Sequence, residues 1–209
     1  MKLLLTSGGL KNKSIIDVLT QLVGKNLNDV SAVYVQTAAN EEYGDKSWMI
    51  RNLSELVELF KEVEIADIAL PKEQWEPKIK DATVIIVGGG NTTYLMKQMK
   101  KSGFAEQLQS LLVGKVYVGI SAGSMVTTPT TAPNSDNEEK IPALKLVDFG
   151  IQPHYKAVTF PLALTKEKVA QRKIDNNIDY PLYALDDQSA ISVIDDKIEV
   201  LSEGKWDKL

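Results

Sequence analysis

Ser121 lies between two glycines in Gly119-Ile120-Ser121-Ala122-Gly123, directly after the apolar run Val116-Tyr117-Val118. This is the spacing of a nucleophile elbow, in which a strand, a sharp turn and a helix leave the serine Oγ exposed at the apex. Small residues on either side let such a strained turn close. The same five residues would also serve as a glycine-rich turn with an incidental serine, so the choice depends on what else the chain supplies.

A serine nucleophile needs a base that titrates near neutrality, and the chain contains one histidine, His154, in Gln152-Pro153-His154-Tyr155. If Ser121 acts through histidine, His154 is the base. A carboxylate should then orient the imidazole. Asp136 stands in the irregular stretch between the two, and Asp186 and Asp187 follow the expected strand 183–185. Glu138 and Glu139 read as solvated charges. Spacing alone does not rank Asp136 against Asp187. Gly88-Gly89-Gly90-Asn91-Thr92 follows a strand and opens a helix, so its N–H groups can face an anion or an oxyanion. Thr93 stands where a dinucleotide fingerprint needs its third glycine, and no Walker-type Lys-Ser/Thr follows a glycine loop. With no cysteine and one histidine, neither a disulfide nor a metal site is expected.

The elements that must carry these groups alternate between strand and helix. Strands are expected at 2–6, 32–36, 64–69, 82–87 and 147–152, and helices at 14–23, 49–60, 92–101, 104–112 and 166–176. The uninterrupted apolar run 82–87 has the character of a strand buried on both faces of a parallel sheet. Residues 127–142, rich in Thr, Pro, Asn and Asp, predict an irregular loop. At the C-terminal end, 190–194 and 198–201 flank Asp195-Asp196-Lys197 as a hairpin. The architecture implied is a mostly parallel α/β sheet covered by helices, with an antiparallel hairpin near the end.

Composition narrows the function further. The chain has 209 residues, 44% of them hydrophobic, enough for one domain over 1–209 with a full core. Its net charge is −4, and its lysines and arginines form no basic stripe, so nucleic acid is not expected as a partner. The opening MKLLLTSGGL turns polar too soon for a signal peptide, and no run approaches a membrane span. A cytoplasmic location is the expectation.

VGGGNT at 87–92, GISAGS at 119–124 and QPHY at 152–155, in that order, resemble the peptidase E family of serine peptidases over nearly the whole chain. That family includes α-aspartyl dipeptidases and has cyanophycinases among its relatives. The resemblance implies a flavodoxin-like three-layer α/β sandwich, similar to a class I glutamine amidotransferase domain with serine in place of cysteine. It makes Ser121 the nucleophile and His154 the base, and places the acid fifteen residues after the serine, at Asp136. It also implies an oxyanion hole from Gly89 or Gly90 with the N–H of Ala122, and turns Asn91 toward a short peptide substrate. No cofactor is implied. One departure concerns specificity: where aspartyl dipeptidases carry Thr-Arg-Glu-Gln-Arg, this chain has Lys168-Val169-Ala170-Gln171-Arg172, which keeps the second arginine and loses the first. A cyanophycinase-like hydrolase of β-aspartyl-arginine and a non-catalytic small-molecule binder remain alternatives. Whether 38–47 covers the site is left open.

Overall fold

Strands that bury every side chain form the centre of the molecule. In the computed structural model, which describes residues 1–131, 140–156 and 164–209, the first half runs β1 (Lys2–Thr6), α1 (Lys13–Val23), β2 (Ser31–Val35), α2 (Ser47–Leu59), β3 (Glu62–Ala66), α3 (Lys72–Asp81) and β4 (Val84–Val87). It continues through α4 (Thr92–Lys101), α5 (Phe104–Leu111), β5 (Val116–Ile120) and a single turn, α6 (Ala122–Met125). The rest is β6 (Gly150–Gln152), α7 (Lys166–Asp175), β7 (Leu182–Leu185), β8 (Ser189–Ile194), β9 (Lys197–Ser202) and β10 (Trp206–Lys208). All residues of β4 and β5 are buried, as expected for strands with helices on both faces.

The main sheet has the order β3-β2-β4-β5-β1-β8-β9. The first five strands are parallel and the last two antiparallel. Alternation along each strand sends Leu3, Leu5, Ile85 and Val87 toward Trp75, Leu95 and Phe104 on one face, and Leu4, Val84 and Ile86 toward Ile15, Leu19 and Leu56 on the other. The result is a three-layer α/β sandwich with a mostly parallel sheet, as the sequence implied. Register aligns Val87 with Gly119 and Thr6 with Ile120, so the C-terminal ends of β4, β5 and β1 lie side by side. Open α/β sheets bind ligands at this edge.

The C-terminal hairpin is present with a tighter turn than the sequence suggested. Asp195 and Asp196 alone form it, with φ of 45° and 71°, and Ile194 pairs with Lys197, which already belongs to β9. Two central residues with positive φ give the turn whose twist suits a two-residue hairpin. Two other features had no sequence expectation. Pro77 and a high charge density disguised α3, whose Trp75 and Ile79 are fully buried one turn apart. A second sheet, β10-β7-β6, takes the strand expected at 147–152 out of the main sheet. Part of the expected loop is also better built than its composition implied: Thr127 and Thr128 are buried, with their hydroxyls donating to the carbonyls of Ser124 and Met125.

The elbow depends on close backbone packing against β4. A Cβ on Gly123 would lie 2.0 Å from the carbonyl oxygen of Val87, an atom held in the sheet. Gly123→Ala is therefore expected to destabilise the fold by about 3 kcal/mol or more, measured as a lower midpoint in urea unfolding. A midpoint within error of wild type would mean that α6 can move off β4.

Candidate active site

The nucleophile candidate sits where the parallel strands end. Ser121 follows β5 with φ 50° and ψ −107°, a strained combination for a residue with a side chain. Its N–H donates to the Thr6 carbonyl at 3.0 Å, and its own carbonyl accepts from Ser124 and Met125. The turn is thus fixed from both sides, and Oγ is left half-buried at the sheet edge.

His154 reaches it from the second sheet. β6 ends at Gln152, Pro153 follows, and His154 adopts φ 59°, which turns the ring back toward β5. Its Nε2 lies 2.9 Å from Ser121 Oγ, and its Nδ1 lies 2.7 Å from Asp187 Oδ1. Asp187 stands just past β7, where the chain crosses from the second sheet to β8 in the main one. Burial on its own would raise the Asp187 carboxyl. The hydrogen bond and charge of His154, the hydroxyl of Ser7 and the charge of Lys11 outweigh it and hold the group below the ordinary carboxylate range. Lys11 itself pairs with Glu55 at 2.7 Å.

Ser121 and His154, paired in the sequence reading on chemical grounds, are therefore in contact. Asp136, the expected acid, lies outside the described residues; among the described residues Asp187 is the aspartate that meets the imidazole. Asp186 turns away, accepting from Ser189 Oγ at 2.6 Å. Ser7 was not singled out by sequence, although Ser7-Gly8-Gly9 closes β1. Its signal was hidden because strand order, which sets β1 beside β5, is not readable from a single chain.

The glycine loop lies against the serine. A Cβ on Gly89 would be 3.4 Å from Ser121 Cβ and 3.7 Å from the Trp48 ring, which places Trp48 as a wall of the site that the sequence did not reveal. Gly90 has φ 127°, and a side chain there would collide with the Ala38 backbone at 2.4 Å. Among the described residues no protein acceptor takes the N–H of Gly89, Gly90 or Ala122, so these donors remain available to an oxyanion near Ser121. Asn91 is more engaged than expected: its Oδ1 caps α4 by accepting the Tyr94 N–H at 2.8 Å, and its own N–H donates to the Ala38 carbonyl at 3.0 Å. The same bond pins the start of 38–47, which forms a 3-10 turn over Thr37–Glu41. Arg172 Nη1 donates to Gln152 Oε1 at 3.4 Å, two residues before His154 in the chain, and Lys168 is exposed on α7. Among the described residues no group of three or more metal-ligating side chains comes together, and no helix is long and apolar enough to cross a membrane.

A serine in a strained turn, an imidazole and a carboxylate in hydrogen-bonded series give the connectivity that nucleophilic acyl transfer requires. Comparison with known proteins identifies the lineage: peptidase family S51 matches residues 3–201, and the chain belongs to that family. Over 126 residues it is 34% identical to an uncharacterized peptidase of Pasteurella multocida, covering 56% of this chain and 58% of that protein. A peptidase E of Shewanella baltica is 32% identical over 133 residues, 60% of this chain and 56% of the relative. The chain thus aligns with less than two thirds of the length of either. A crystal structure from Listeria monocytogenes assigned to peptidase E superposes with a TM-score of 0.76 at 25% identity, covering 97% of this chain and 98% of that one.

Proposed function

We propose that this protein is a serine peptidase that hydrolyses short peptides through an acyl-enzyme on Ser121. The observation that carries the reading is the unbroken series from Ser121 Oγ to His154 Nε2, at 2.9 Å, and from His154 Nδ1 to Asp187, at 2.7 Å. As Oγ bonds to the scissile carbonyl carbon, His154 takes its proton and the carbonyl electron pair moves onto oxygen, toward the N–H groups of Ala122 and Gly89 or Gly90. Collapse expels the amine, which leaves with the proton from His154. Water then attacks the ester with His154 again as base, releasing the acid and restoring Ser121. Asp187 orients the imidazole and stabilises its charged form.

A fluorophosphonate tests this reading directly. Intact mass should show one adduct per chain, peptide mapping should place it on Ser121, and His154→Gln should slow its formation by about 10²-fold or more. A small-molecule binder on the same fold would stay unlabelled.

Substrate choice follows from the cations available. A guanidinium grips a carboxylate in two bonds whereas an ammonium offers a point charge, and Val169 stands where the aspartyl dipeptidases carry the first of their two arginines. Asp-Xaa dipeptides should therefore be only modestly preferred over Ala-Xaa or Leu-Xaa ones when kcat/KM is compared across a panel differing in the first residue. An aspartate preference of about 10³, equal to about 4 kcal/mol, would overturn this and point to a strong carboxylate clamp.

A further inference from the structure

The end of β1 brings a buried hydroxyl to the relay. Ser7 is fully buried. Its Oγ accepts the His154 main-chain N–H at 2.8 Å and donates to Asp187 Oδ1 at 3.0 Å. That same Oδ1 lies 2.7 Å from His154 Nδ1, so amide, hydroxyl, carboxylate and imidazole close a ring of hydrogen bonds. The directions in this ring are fixed, because an N–H can only donate, an ionised carboxylate can only accept, and a hydroxyl has one proton to give. Ser7 is itself anchored, its N–H donating to the Ser189 carbonyl at 3.3 Å. The ring joins three separate parts of the chain: the end of β1, the residue with positive φ after β6, and the crossing after β7. A residue at φ 59° such as His154 keeps that conformation only where its surroundings hold it.

We propose that Ser7 is a positioning residue for hydrolysis, its hydroxyl holding the His154 main chain and the Asp187 carboxylate in one geometry so that the neutral imidazole keeps its proton on Nδ1 and offers Nε2 to Ser121. The proposal rests on the Ser121, His154 and Asp187 relay argued above. Ser7 has no free surface from which to touch substrate. It therefore acts on the chemical step and leaves substrate binding alone.

Ser7→Ala removes the hydroxyl, and Ser7→Cys fills the same space with a much weaker donor. Because His154 is the only histidine in the chain, its two ring nitrogens give an unambiguous pair of ¹⁵N resonances, and the tautomer is read without turnover at a pH where the ring is neutral. Wild type is expected to show the Nδ1–H form, and both variants a mixture of tautomers. Their kcat should fall about 10- to 100-fold, with KM changed by less than about twofold. Cysteine tracking alanine supports the hydrogen-bonding role. Cysteine restoring wild-type kcat would show that Ser7 only fills space, and an alanine variant with a single Nδ1–H tautomer and unchanged kcat would overturn the proposal outright. Should the alanine variant fail to fold, the near-isosteric cysteine variant decides alone. Failure of the peptidase reading looks different: Ser121 in the wild type would not be phosphonylated, whatever the tautomer in the variants.

Discussion

Ser121→Ala is expected to leave a folded protein whose hydrolysis of short peptides is slower by about 10³-fold or more. The alanine deletes the only atom that would bond to the substrate carbonyl. It keeps Cβ and the main chain, so the turn held by the Ser121 main-chain hydrogen bonds persists. Donors of the oxyanion site also remain, which leaves a residual rate above that of water. The comparison variant is Ser124→Ala. Ser124 is fully buried with Oγ donating to the Thr6 carbonyl at 2.7 Å, so its loss should cost about 1 kcal/mol of stability and spare the chemistry. Steady-state kinetics with urea unfolding of both variants makes the test. An inactive Ser124→Ala beside an active Ser121→Ala would assign the wrong serine to the elbow.

Asp187→Asn should lower kcat by about 10²- to 10⁴-fold, because an amide no longer stabilises the imidazolium that forms as Ser121 attacks. Asp136→Asn should do much less, and the reverse order of damage would move the acid to the stretch 132–139. The same variant has a signature in stability. The Asp187 carboxyl is held low in the folded protein, so its ionised form contributes stability that is fully present above the unfolded value of about 3.9 and is lost as pH falls through the lower folded value. Acid unfolding of wild type should include this contribution and Asp187→Asn should lack it. Equal pH dependence of the two proteins would mean that the carboxylate gains nothing from His154, Ser7 and Lys11.

Much of the architecture was legible because local physics produces it. The buried run of β4 and the C-terminal hairpin each carry their own signal in side-chain pattern, although the hairpin turn is one residue shorter than the sequence suggested. The elements that escaped were those whose local signal conflicts with their structure. α3 contains a proline and many charges, and it exists because Trp75 and Ile79 are buried together. β10 is three residues long, too short for any periodicity. At the site, Ser121 was legible from its flanking glycines and His154 by being the sole histidine. Ser7 and Trp48 carried no motif, and their positions depend on which elements are neighbours.

The sequence by itself determined the chemistry on offer: one serine in an elbow, one histidine, no thiol, and a glycine loop between a strand and a helix. Those are matters of residue type and short-range backbone geometry. Only the tertiary structure brings Asp187 to the histidine and sets a serine from the first strand against them both. Spacing along the chain did not rank the candidate aspartates, and the family resemblance pointed to Asp136. Asp187, sixty-six residues beyond Ser121, meets His154 because β6 and β7 pair in a second sheet and the crossing from β7 to β8 brings that carboxylate to the open ends of β1 and β5. Strand pairing, a non-local contact, sets that distance.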